Sequence, residues 1–443
     1  MSLHDPDVEA REPAEQRELD ERALREQLGA LPERSPFYRD KLAGVEVGGL
    51  DDLLALPFTT KEELRASLAA EPPLGRHLAT SPASVRRIYS TSGTTGDPLY
   101  IAVTDADLAG WRGIGARSYR ACGIAPGQGA VLTYNSGPFV AGAVLDAWGE
   151  IGATVIPVGS GNTERLVRAF QVLGAEALGC TPSYAIYLAD WCRARDIDPA
   201  GLGIRSLAVA GEPGGGEPET RTLIEAAFGA TVREAMGIAD VSPSLWGECE
   251  EQAGMHFCGR DHVYAELIDP GGDAPLPWED GAEGELVYTS LRREAMPVVR
   301  FRSRDRVVVT ARPCSCGRTS PRVRCIGRTD DLLIVRGANL FPSAVREVVA
   351  GFRPRVGGPV QIRPIHTGVR QDSPPRVLVE LAEGGRADDE LSGAIQAAIR
   401  SRLVAGTAVE LVPYGTLGRS EYKSRLVDFS ESASGERTST AAG

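Results

Sequence analysis

Short runs of β-branched residues alternate with helical stretches between residues 85 and 240, and this alternation most limits the folds open to the chain. Residues 130–134 (AVLTY), 153–158 (ATVIPV) and 206–212 (SLAVAGE) are typical of buried strands. Residues 163–174, between two of these runs, have helical periodicity and are predicted to form a crossover helix. Such alternation predicts parallel βαβ units, so the fold class is α/β.

The sequence changes character further along the chain. The runs GELVYTSL and DRVVVTA, within residues 262–310, predict strands of a second sheet, in a smaller β-rich subdomain without long helices. A boundary is predicted near Asp330, so residues 21–329 form a large N-terminal domain and residues 330–430 a small α+β domain. Residues 1–20 are expected to be a disordered arm, although a helix is predicted from residue 21 to 31. Residues 431–443 are expected to be a disordered tail.

Composition and charge indicate a protein that works on small molecules. The chain of 443 residues has a net charge of −12, which argues against nucleic acid or an anionic membrane as a partner. No apolar run approaches the roughly 20 residues of a membrane helix, and the first residues do not resemble a signal peptide. Eight cysteines without such a signal favour a reducing cytoplasm. A polar, acidic surface is compatible with a homodimer.

The stretch STSGTTGDP, residues 90–98, combines hydroxyl side chains with glycines in one short loop. Gly93 and Gly96 allow positive φ and a close approach of the backbone to a ligand. Hydroxyls and backbone amides can surround phosphate oxygens, although the loop lacks the lysine pattern of P-loop NTPases, and Asp97 follows its second glycine. An ordinary Ser/Thr/Gly turn is the alternative. The hydroxyl donors are Ser90, Thr91, Ser92, Thr94 and Thr95.

Two further motifs indicate a metal site. CEEQAGMH places six residues between Cys249 and His256, and PCSCGR places one residue between Cys314 and Cys316. Three thiolates and one imidazole form a closed tetrahedral zinc site of the structural kind. The C-x-C spacing is tighter than usual, so free buried cysteines are the alternative, and Cys258 is a substitute ligand.

Many ordered motifs between about residues 20 and 430 resemble adenylate-forming enzymes, and among them the phenylacetate–coenzyme A ligase family. They include SPFYRDKL, LPFTTKEELR, STSGTTGDP, VIPVGSGNTERLV and CTPSYAIYLAD. Later motifs are AGEP, MGIAD, TSLRREAMPVVRFRSRD, CSCGR, GRTDDLLIVRGANLFPSAVREVV and GRSEYKS. The resemblance implies that ATP and Mg²⁺ convert a carboxylate into an acyl-adenylate, which coenzyme A then takes as a thioester. It also implies that the C-terminal domain is mobile.

The resemblance assigns roles to individual residues. Lys423 matches the lysine that neutralises charge developing between the carboxylate and the α-phosphate. Asp305 matches the carboxylate that accepts hydrogen bonds from both ribose hydroxyls, and Asp330 matches the hinge. The implied nucleotide-binding residues are Ser90, Thr91, Ser92, Gly93, Thr94, Thr95, Gly96, Gly211, Glu212, Pro213, Met236, Gly237, Asp305, Arg328 and Asp330. A plain loop, an ordinary ion pair or a solvated tail lysine are the alternatives.

The segment MGIAD departs three times from the family pattern of aromatic, glycine, any residue, hydroxyl and glutamate. Met236 replaces the aromatic residue, Ala239 the hydroxyl and Asp240 the glutamate. The acidic residue usually helps to hold Mg²⁺, and a water molecule can bridge the shorter reach of an aspartate. Asp240 is therefore a predicted catalytic residue, together with Lys423.

The resemblance also places an acid pocket between the βαβ subdomains. Tyr134 and Phe139 could stack on a flat ring, so an aromatic acid that can carry a hydroxyl or amino group is expected. Core or loop packing is the alternative for each wall residue. The predicted wall residues are Tyr134, Phe139, Ala143, Gly214, Met236, Ile238 and Pro243.

Three functions remain open at this point. The first is an aryl-acid–coenzyme A ligase with ATP, Mg²⁺, coenzyme A and a structural Zn²⁺, since many family members carry the Cys/His set. In the second, the acyl-adenylate or a related adenylate passes to an amine, or nitrite is activated for diazotisation of an aryl amine. The third is an inactive nucleotide-binding homologue, against which the retention of both Lys423 and Asp305 argues.

Overall fold

The computed structural model describes residues 3–91, 98–134, 140–159, 161–336, 338–366, 368–418, 426–430 and 432. By its internal contacts the chain divides into two compact units. The first unit holds residues 1–180, 200–211 and 228–324, and the second holds residues 181–199, 212–227 and 325–443. The predicted division at residue 330 thus lies close to the start of the last segment of the second unit.

The helices of the described residues fall into eleven α-helical segments. Among them, none is long and apolar enough to cross a bilayer. They are α1 (Pro6–Glu9), α2 (Pro13–Arg34), α3 (Pro36–Lys41), α4 (Lys61–Ala70), α5 (Asp105–Ala121), α6 (Val144–Ile151), α7 (Thr163–Leu173), α8 (Pro182–Arg193), α9 (Pro218–Phe228), α10 (Pro342–Ala350) and α11 (Asp389–Leu403).

The strands of the described residues form one large sheet and three small ones. They are β1 (Arg87–Ser90), β2 (Tyr100–Val103), β3 (Gly129–Leu132), β4 (Thr154–Pro157), β5 (Ala177–Cys180), β6 (Ser206–Val209), β7 (Thr231–Ile238), β8 (Ser242–Glu248), β9 (Met255–Phe257), β10 (Val263–Ile268), β11 (Glu283–Ser290), β12 (Phe301–Thr310), β13 (Arg322–Arg328), β14 (Leu333–Val335), β15 (Ala338–Leu340), β16 (Val356–Arg363), β17 (Arg370–Gln371), β18 (Arg376–Leu381) and β19 (Ala408–Val412).

The large sheet has eleven strands in the order β10-β11-β12-β13-β9-β8-β7-β6-β5-β3-β4. Strands β3 to β7 pair in parallel with their neighbours, and α7 joins β4 to β5. The predicted α/β class is therefore confirmed, as are the strands predicted at residues 130–134, 153–158 and 206–212. Strands β3 and β6 are buried over three of their four residues, which explains why they read as continuous apolar runs, whereas β4 at the edge of the sheet is exposed at both ends.

The prediction of a separate second sheet is wrong. Strands β11 and β12 were expected there, but they belong to the same eleven-stranded sheet as β3 to β7. The physical reason is the length of β7. Its first half pairs in parallel with β6 and its second half pairs antiparallel with β8, so one strand links the parallel and antiparallel regions.

The expectation of a disordered arm over residues 1–20 is also wrong for residues 3–20. They form α1 and the beginning of α2, and Glu9 is only 5% exposed. The Arg318 guanidinium donates to the Glu9 carboxylate at 2.7 Å, and the Thr319 amide donates to the Glu9 carbonyl at 3.1 Å. In the sequence alone, a charged segment whose partners are unknown suggests disorder. In the fold, the Glu9 carboxylate is paired with the distant Arg318.

The C-terminal part of the second unit contains two three-stranded sheets, β15-β14-β17 and β16-β18-β19. The stretch ADDELSGAIQAAIRSRLV contains α11, and the runs RVLVELAE and AVELVPYG contain β18 and β19. Strands β18 and β19 pair in parallel, and apolar residues of α10 and α11 pack into one core with them. This region thus contains both helices and strands, and the small C-terminal domain stays a prediction. The tail, apart from Ser432, lies outside the described residues.

Candidate functional site

The hydroxyl-rich loop connects β1 to β2, which pair as an antiparallel hairpin. The Thr91 amide donates to the Leu99 carbonyl at 2.9 Å, and the Leu99 amide donates to the Thr91 hydroxyl at 3.0 Å. These bonds fix both ends of the loop. Residues 92–97, with Ser92, Gly93, Thr94, Thr95 and Gly96, lie outside the described residues.

Asp240 lies in the turn between β7 and β8 and is 5% exposed. Its Oδ2 atom is buried and has no hydrogen-bond partner among the described residues, and the Lys61 ammonium lies 3.5 Å away. A buried carboxylate oxygen without a donor is costly unless another group completes it. The same carboxylate lines a cavity with about 280 Å³ of empty space, together with Leu64, His77, Leu99, Tyr100, Ile101, Met296 and Val298.

Two residues of this region were not predicted as site residues. Lys61 is the first residue of α4, where Thr60 and Glu63 form a capping box. That box is visible in the sequence TTKEE and predicts that Lys61 lies in a first helical turn, but not what it contacts. His77 lines the cavity, and burial lowers its pKa to about 4, so its imidazole is neutral at pH 7.

Trp111 and Arg293 both bind the carbonyl of Val241, the residue after Asp240. The Trp111 indole N–H donates at 2.9 Å, and an Arg293 Nη1–H donates to the same oxygen. The Arg293 guanidinium also lies 4.7 Å from the centre of the Trp111 ring. Burial lowers the pKa of Arg293 while Asp107 and Asp240 raise it, and an arginine remains charged under such conditions.

The last residues of β7 explain why glycine stands in the MGIAD segment. Met236 on β7 pairs with Trp246 on β8, and the pairing register of the two strands shifts between Met236 and Ile238. A Cβ atom at Gly237 would lie 2.3 Å from the Pro243 carbonyl oxygen, so no other residue fits without moving the backbone. The resulting bulge turns the chain towards Asp240.

The predicted acid-pocket residues of the first unit have different environments. Tyr134 is buried, and its hydroxyl donates to the Cys180 carbonyl at 2.8 Å. Ala143 belongs to a buried apolar cluster with Tyr89 and Trp111, against which Ala239 packs. Ile238 and Pro243 are half-buried, and Phe139 lies outside the described residues.

The predicted nucleotide contacts are divided between the two units. Asp305 lies on β12 of the first unit and is 8% exposed, and Gly211 belongs to this unit as well. Glu212, Pro213, Gly214, Arg328 and Asp330 belong to the second unit. Lys423 lies outside the described residues.

Within the second unit, two predicted residues bind each other. Arg328 donates two hydrogen bonds to the Asp330 carboxylate, each at 2.9 Å. This bidentate pair is an arrangement that an arginine favours, and it fixes the segment that begins the predicted hinge. Glu212 accepts a hydrogen bond from the Ser183 amide at 2.9 Å, in the first turn of α8.

The four predicted metal ligands come together in the first unit. The ligand atoms of Cys249, His256, Cys314 and Cys316 all lie within 4.8 Å of one another. The Cys249 and Cys314 sulfurs are 3.6 Å apart, and the Cys316 sulfur lies 3.3 Å from His256 Nε2. Cys258 is buried and instead donates to the His256 carbonyl, so it is not part of this cluster.

The surroundings of the cluster suit a closed metal site. His256 Nδ1 lies 3.1 Å from the Ser320 carbonyl, and a carbonyl only accepts, so this nitrogen carries the proton. Nε2 then presents its lone pair towards the cluster, as in metal-bound histidines with a carbonyl partner. A hydrogen bond from Cys249 lowers the pKa of Cys316, so a thiolate forms readily among these sulfurs.

Comparisons with curated proteins identify clear relatives, although no protein-family model matches the chain. A phenylacetate–coenzyme A ligase from Thermus thermophilus is 36% identical over 356 residues, which is 78% of this chain and 78% of the relative. A phenylacetate–coenzyme A ligase from Pseudomonas putida is 34% identical over 418 residues, 90% of this chain and 91% of the relative.

A solved structure extends the similarity to three dimensions. The structure of 2-hydroxyisobutyryl-CoA ligase in the postadenylation state, in complex with 2-HIB-AMP, aligns with a TM-score of 0.88 and 28% identity. The alignment covers 97% of this chain and 92% of that protein.

Proposed function

Because the chain belongs to the phenylacetate–coenzyme A ligase family, we propose that it activates an aromatic carboxylic acid. The reaction type is that of the family: ATP-dependent formation of an acyl-adenylate, followed by transfer of the acyl group to coenzyme A. The aromatic acid is the proposed part. The sequence relatives act on phenylacetate by name, whereas the structural neighbour acts on a small hydroxy acid.

The first step gives the acyl group a better leaving group, and the second step uses it. In the first step a carboxylate oxygen attacks the α-phosphorus of ATP, the bond from that phosphorus to the bridging oxygen breaks, and pyrophosphate leaves. In the second step the sulfur of coenzyme A attacks the acyl carbon and AMP leaves. We assign Lys423 to the charge that develops in the first step, and Asp305 to the ribose hydroxyls.

The observation that carries the nucleotide assignment is the buried Asp240 carboxylate, whose Oδ2 atom has the Lys61 ammonium 3.5 Å away but no hydrogen bond among the described residues. It lines the same cavity as Leu99, which closes the hydroxyl-rich loop through its bonds to Thr91. Mg²⁺ prefers hard oxygen ligands and retains several waters, so a buried carboxylate with spare acceptor capacity fits it. When bound, Mg²⁺ would neutralise phosphate charge. Asp240 would hold the ion, and Ser90 and Thr91 would position the start of the loop.

The acid pocket is proposed to be aromatic because rings and small side chains surround the segment that follows β7. Ala239 packs against the cluster that contains Tyr89, Trp111 and Ala143. Tyr134 would contribute only the face of its ring, since its hydroxyl is used by the Cys180 carbonyl. The remaining proposed wall residues are Phe139, Gly214, Met236, Ile238 and Pro243.

We also propose that Cys249, His256, Cys314 and Cys316 hold a structural Zn²⁺. Four protein ligands leave no open position for chemistry, so the ion would link the turn after β8 to the loop between β12 and β13. None of the eight cysteines, all of which lie among the described residues, forms a disulfide, and this supports the proposal of a reducing, cytoplasmic location.

The test incubates purified protein with ATP, Mg²⁺ and one acid at a time, with and without coenzyme A. Phenylacetate, benzoate, aminobenzoates and hydroxybenzoates represent the aromatic class, and 2-hydroxyisobutyrate represents the small aliphatic class. Mass spectrometry follows AMP, the acyl-adenylate and the thioester. We expect thioester formation with an aromatic acid and a kcat/KM at least about tenfold above that for 2-hydroxyisobutyrate.

Two results would contradict this proposal. Preference for 2-hydroxyisobutyrate over every aromatic acid would remove the aromatic assignment but keep the reaction type. AMP release that ignores coenzyme A and requires an amine or nitrite would instead indicate a different acceptor.

A further inference from the structure

The carbonyl of Val241 is held by two side chains that come from different parts of the chain. Trp111 lies on α5, and Arg293 follows β11. Both donate a hydrogen bond to the Val241 oxygen, and the guanidinium lies against the indole ring. Both side chains are almost fully buried, at 5% exposure each. The peptide group between Val241 and Ser242, directly after Asp240 and its neighbour, is therefore held by two buried donors.

The segment that carries Arg293 is itself tied to α5. Asp107 on that helix accepts hydrogen bonds from the amides of Glu294 and Ala295, at 2.8 and 3.1 Å. Asp107 also accepts from the Thr104 amide at 3.0 Å. Arg293 is therefore held next to the helix that carries Trp111, and both side chains reach the Val241 carbonyl from there.

We propose that Arg293, seated on Trp111, is a positioning residue for the Asp240 carboxylate. It fixes the direction of the turn through the Val241 carbonyl, while the Lys61 ammonium lies 3.5 Å from Oδ2 of Asp240. The carboxylate is thereby held in one direction in a buried place. The inference rests on the proposed role of Asp240 at Mg²⁺.

Geometry and charge can be separated at this position. A lysine keeps the charge but loses the planar fork that both stacks on indole and donates to a carbonyl. Arg293→Lys therefore tests geometry, Arg293→Met removes charge as well, and Trp111→Phe keeps a ring but loses the indole N–H. Arg292, the exposed neighbour, supplies the matched control Arg292→Lys.

The first readout is the Mg²⁺ concentration that half-saturates pyrophosphate release, measured for each variant at saturating ATP and acid. Loss of an outer partner of a metal ligand typically costs 10–100-fold, so we expect that increase for Arg293→Lys and more for Arg293→Met. Arg292→Lys should remain within about twofold of the parent. The second readout needs no activity: urea unfolding of Arg293→Lys, Trp111→Phe and the double variant should show non-additive losses.

Four outcomes decide the inference. A higher half-saturating Mg²⁺ concentration in the Arg293 variants, together with non-additive unfolding losses, supports the inference. An unchanged half-saturating Mg²⁺ concentration in both Arg293 variants overturns it, provided that Asp240→Asn raises that concentration. An unshifted Asp240→Asn shows instead that the proposed role of Asp240 is wrong, and the positioning role falls with it. Additive unfolding losses overturn the joint action of Trp111 and Arg293, whatever the Mg²⁺ dependence.

Discussion

The Cys/His cluster and the Asp240 site both contain polar groups that are rarely buried without a partner. The two sites differ in what their groups contact. In the cluster, three sulfurs and an imidazole lie within 4.8 Å of one another, and a carbonyl fixes the remaining histidine nitrogen. At Asp240 a carboxylate oxygen is buried without a donor among the described residues.

On the proposed function, this difference separates a site whose ligands all come from the protein from a site that is completed only when a small molecule binds. A structural metal site supplies every ligand from the chain, so its donors face one another. A substrate site must leave acceptors and donors unmatched until the ligand arrives, and the protein bears that cost only where neighbouring cations reduce it. Lys61 and Arg293 are such cations beside Asp240.

The largest expected effect is at the incomplete site. Asp240→Asn keeps the size of the side chain but removes the charge, and we expect pyrophosphate release to fall about 100-fold, as for loss of a preorganised electrostatic group. Asp105→Asn, on the exposed first turn of α5, is the control and should stay within about twofold. A rate for Asp240→Asn within threefold of the parent would mean that the unmatched oxygen serves no ligand.

The closed site should respond in stability and metal content. Cys316→Ser removes one thiolate, so we expect bound zinc to fall from about one ion per chain to near zero and the free energy of unfolding to fall by about 2–5 kcal/mol. Metal analysis and urea unfolding provide the two measurements, with the exposed Ser315→Ala as the matched control. If the parent protein contains no zinc, the proposal that this cluster binds a metal is wrong.

Asp20 is another buried carboxylate, and it differs from Asp240 because no ligand is assigned to it. Asp20 accepts from Gln16 at 2.8 Å, and burial raises the pKa of Asp20 to about 7. Its folded pKa lies above its unfolded pKa, near 4, so its contribution to stability is present below pH 4 and is lost as pH rises through 7.

Asp20→Asn should therefore be more stable than the parent at pH 8, by about 1–3 kcal/mol, and the advantage should vanish near pH 4. Urea unfolding across this pH range gives the measurement, and the exposed Glu18→Gln on the same helix is the control. An equal difference at both pH values would show that Asp20 ionises normally when the protein is folded.

The smallest effect is expected for Tyr134→Phe. Its hydroxyl bonds to the Cys180 carbonyl, so the loss should be about 1 kcal/mol of unfolding free energy, with the KM for an aromatic acid changed less than about twofold. A tenfold higher KM with unchanged stability would instead place the hydroxyl on the substrate.

Much of the fold and of the metal cluster could be predicted from the sequence because both depend on local patterns. The strands at residues 130–134 and 206–212 show as apolar runs, and the cysteine and histidine spacing indicated four ligands that the fold then brings together. The continuous sheet was missed because the pairing of both halves of β7 is a tertiary fact without a sequence signal.

The surroundings of Asp240 were less accessible for a related reason. Charged residues are almost always exposed, so nothing in the sequence distinguishes buried Arg293 from exposed Arg292 beside it. Likewise, the sequence shows that the hydroxyl-rich loop has Asp97 and lacks the lysine pattern of P-loop NTPases. Only the fold shows that the Lys61 ammonium lies 3.5 Å from Asp240.

The ion pair between Glu9 and Arg318 ties the beginning of the sequence to the loop that carries Cys314 and Cys316. Both side chains are buried, at 4% and 1% exposure, and the pair is separated by 309 positions in the chain. A protein trimmed to begin at Glu21 would strand a guanidinium inside the fold, just beyond two proposed zinc ligands. Residues 3–20 therefore help to hold in place the loop that carries Cys314 and Cys316.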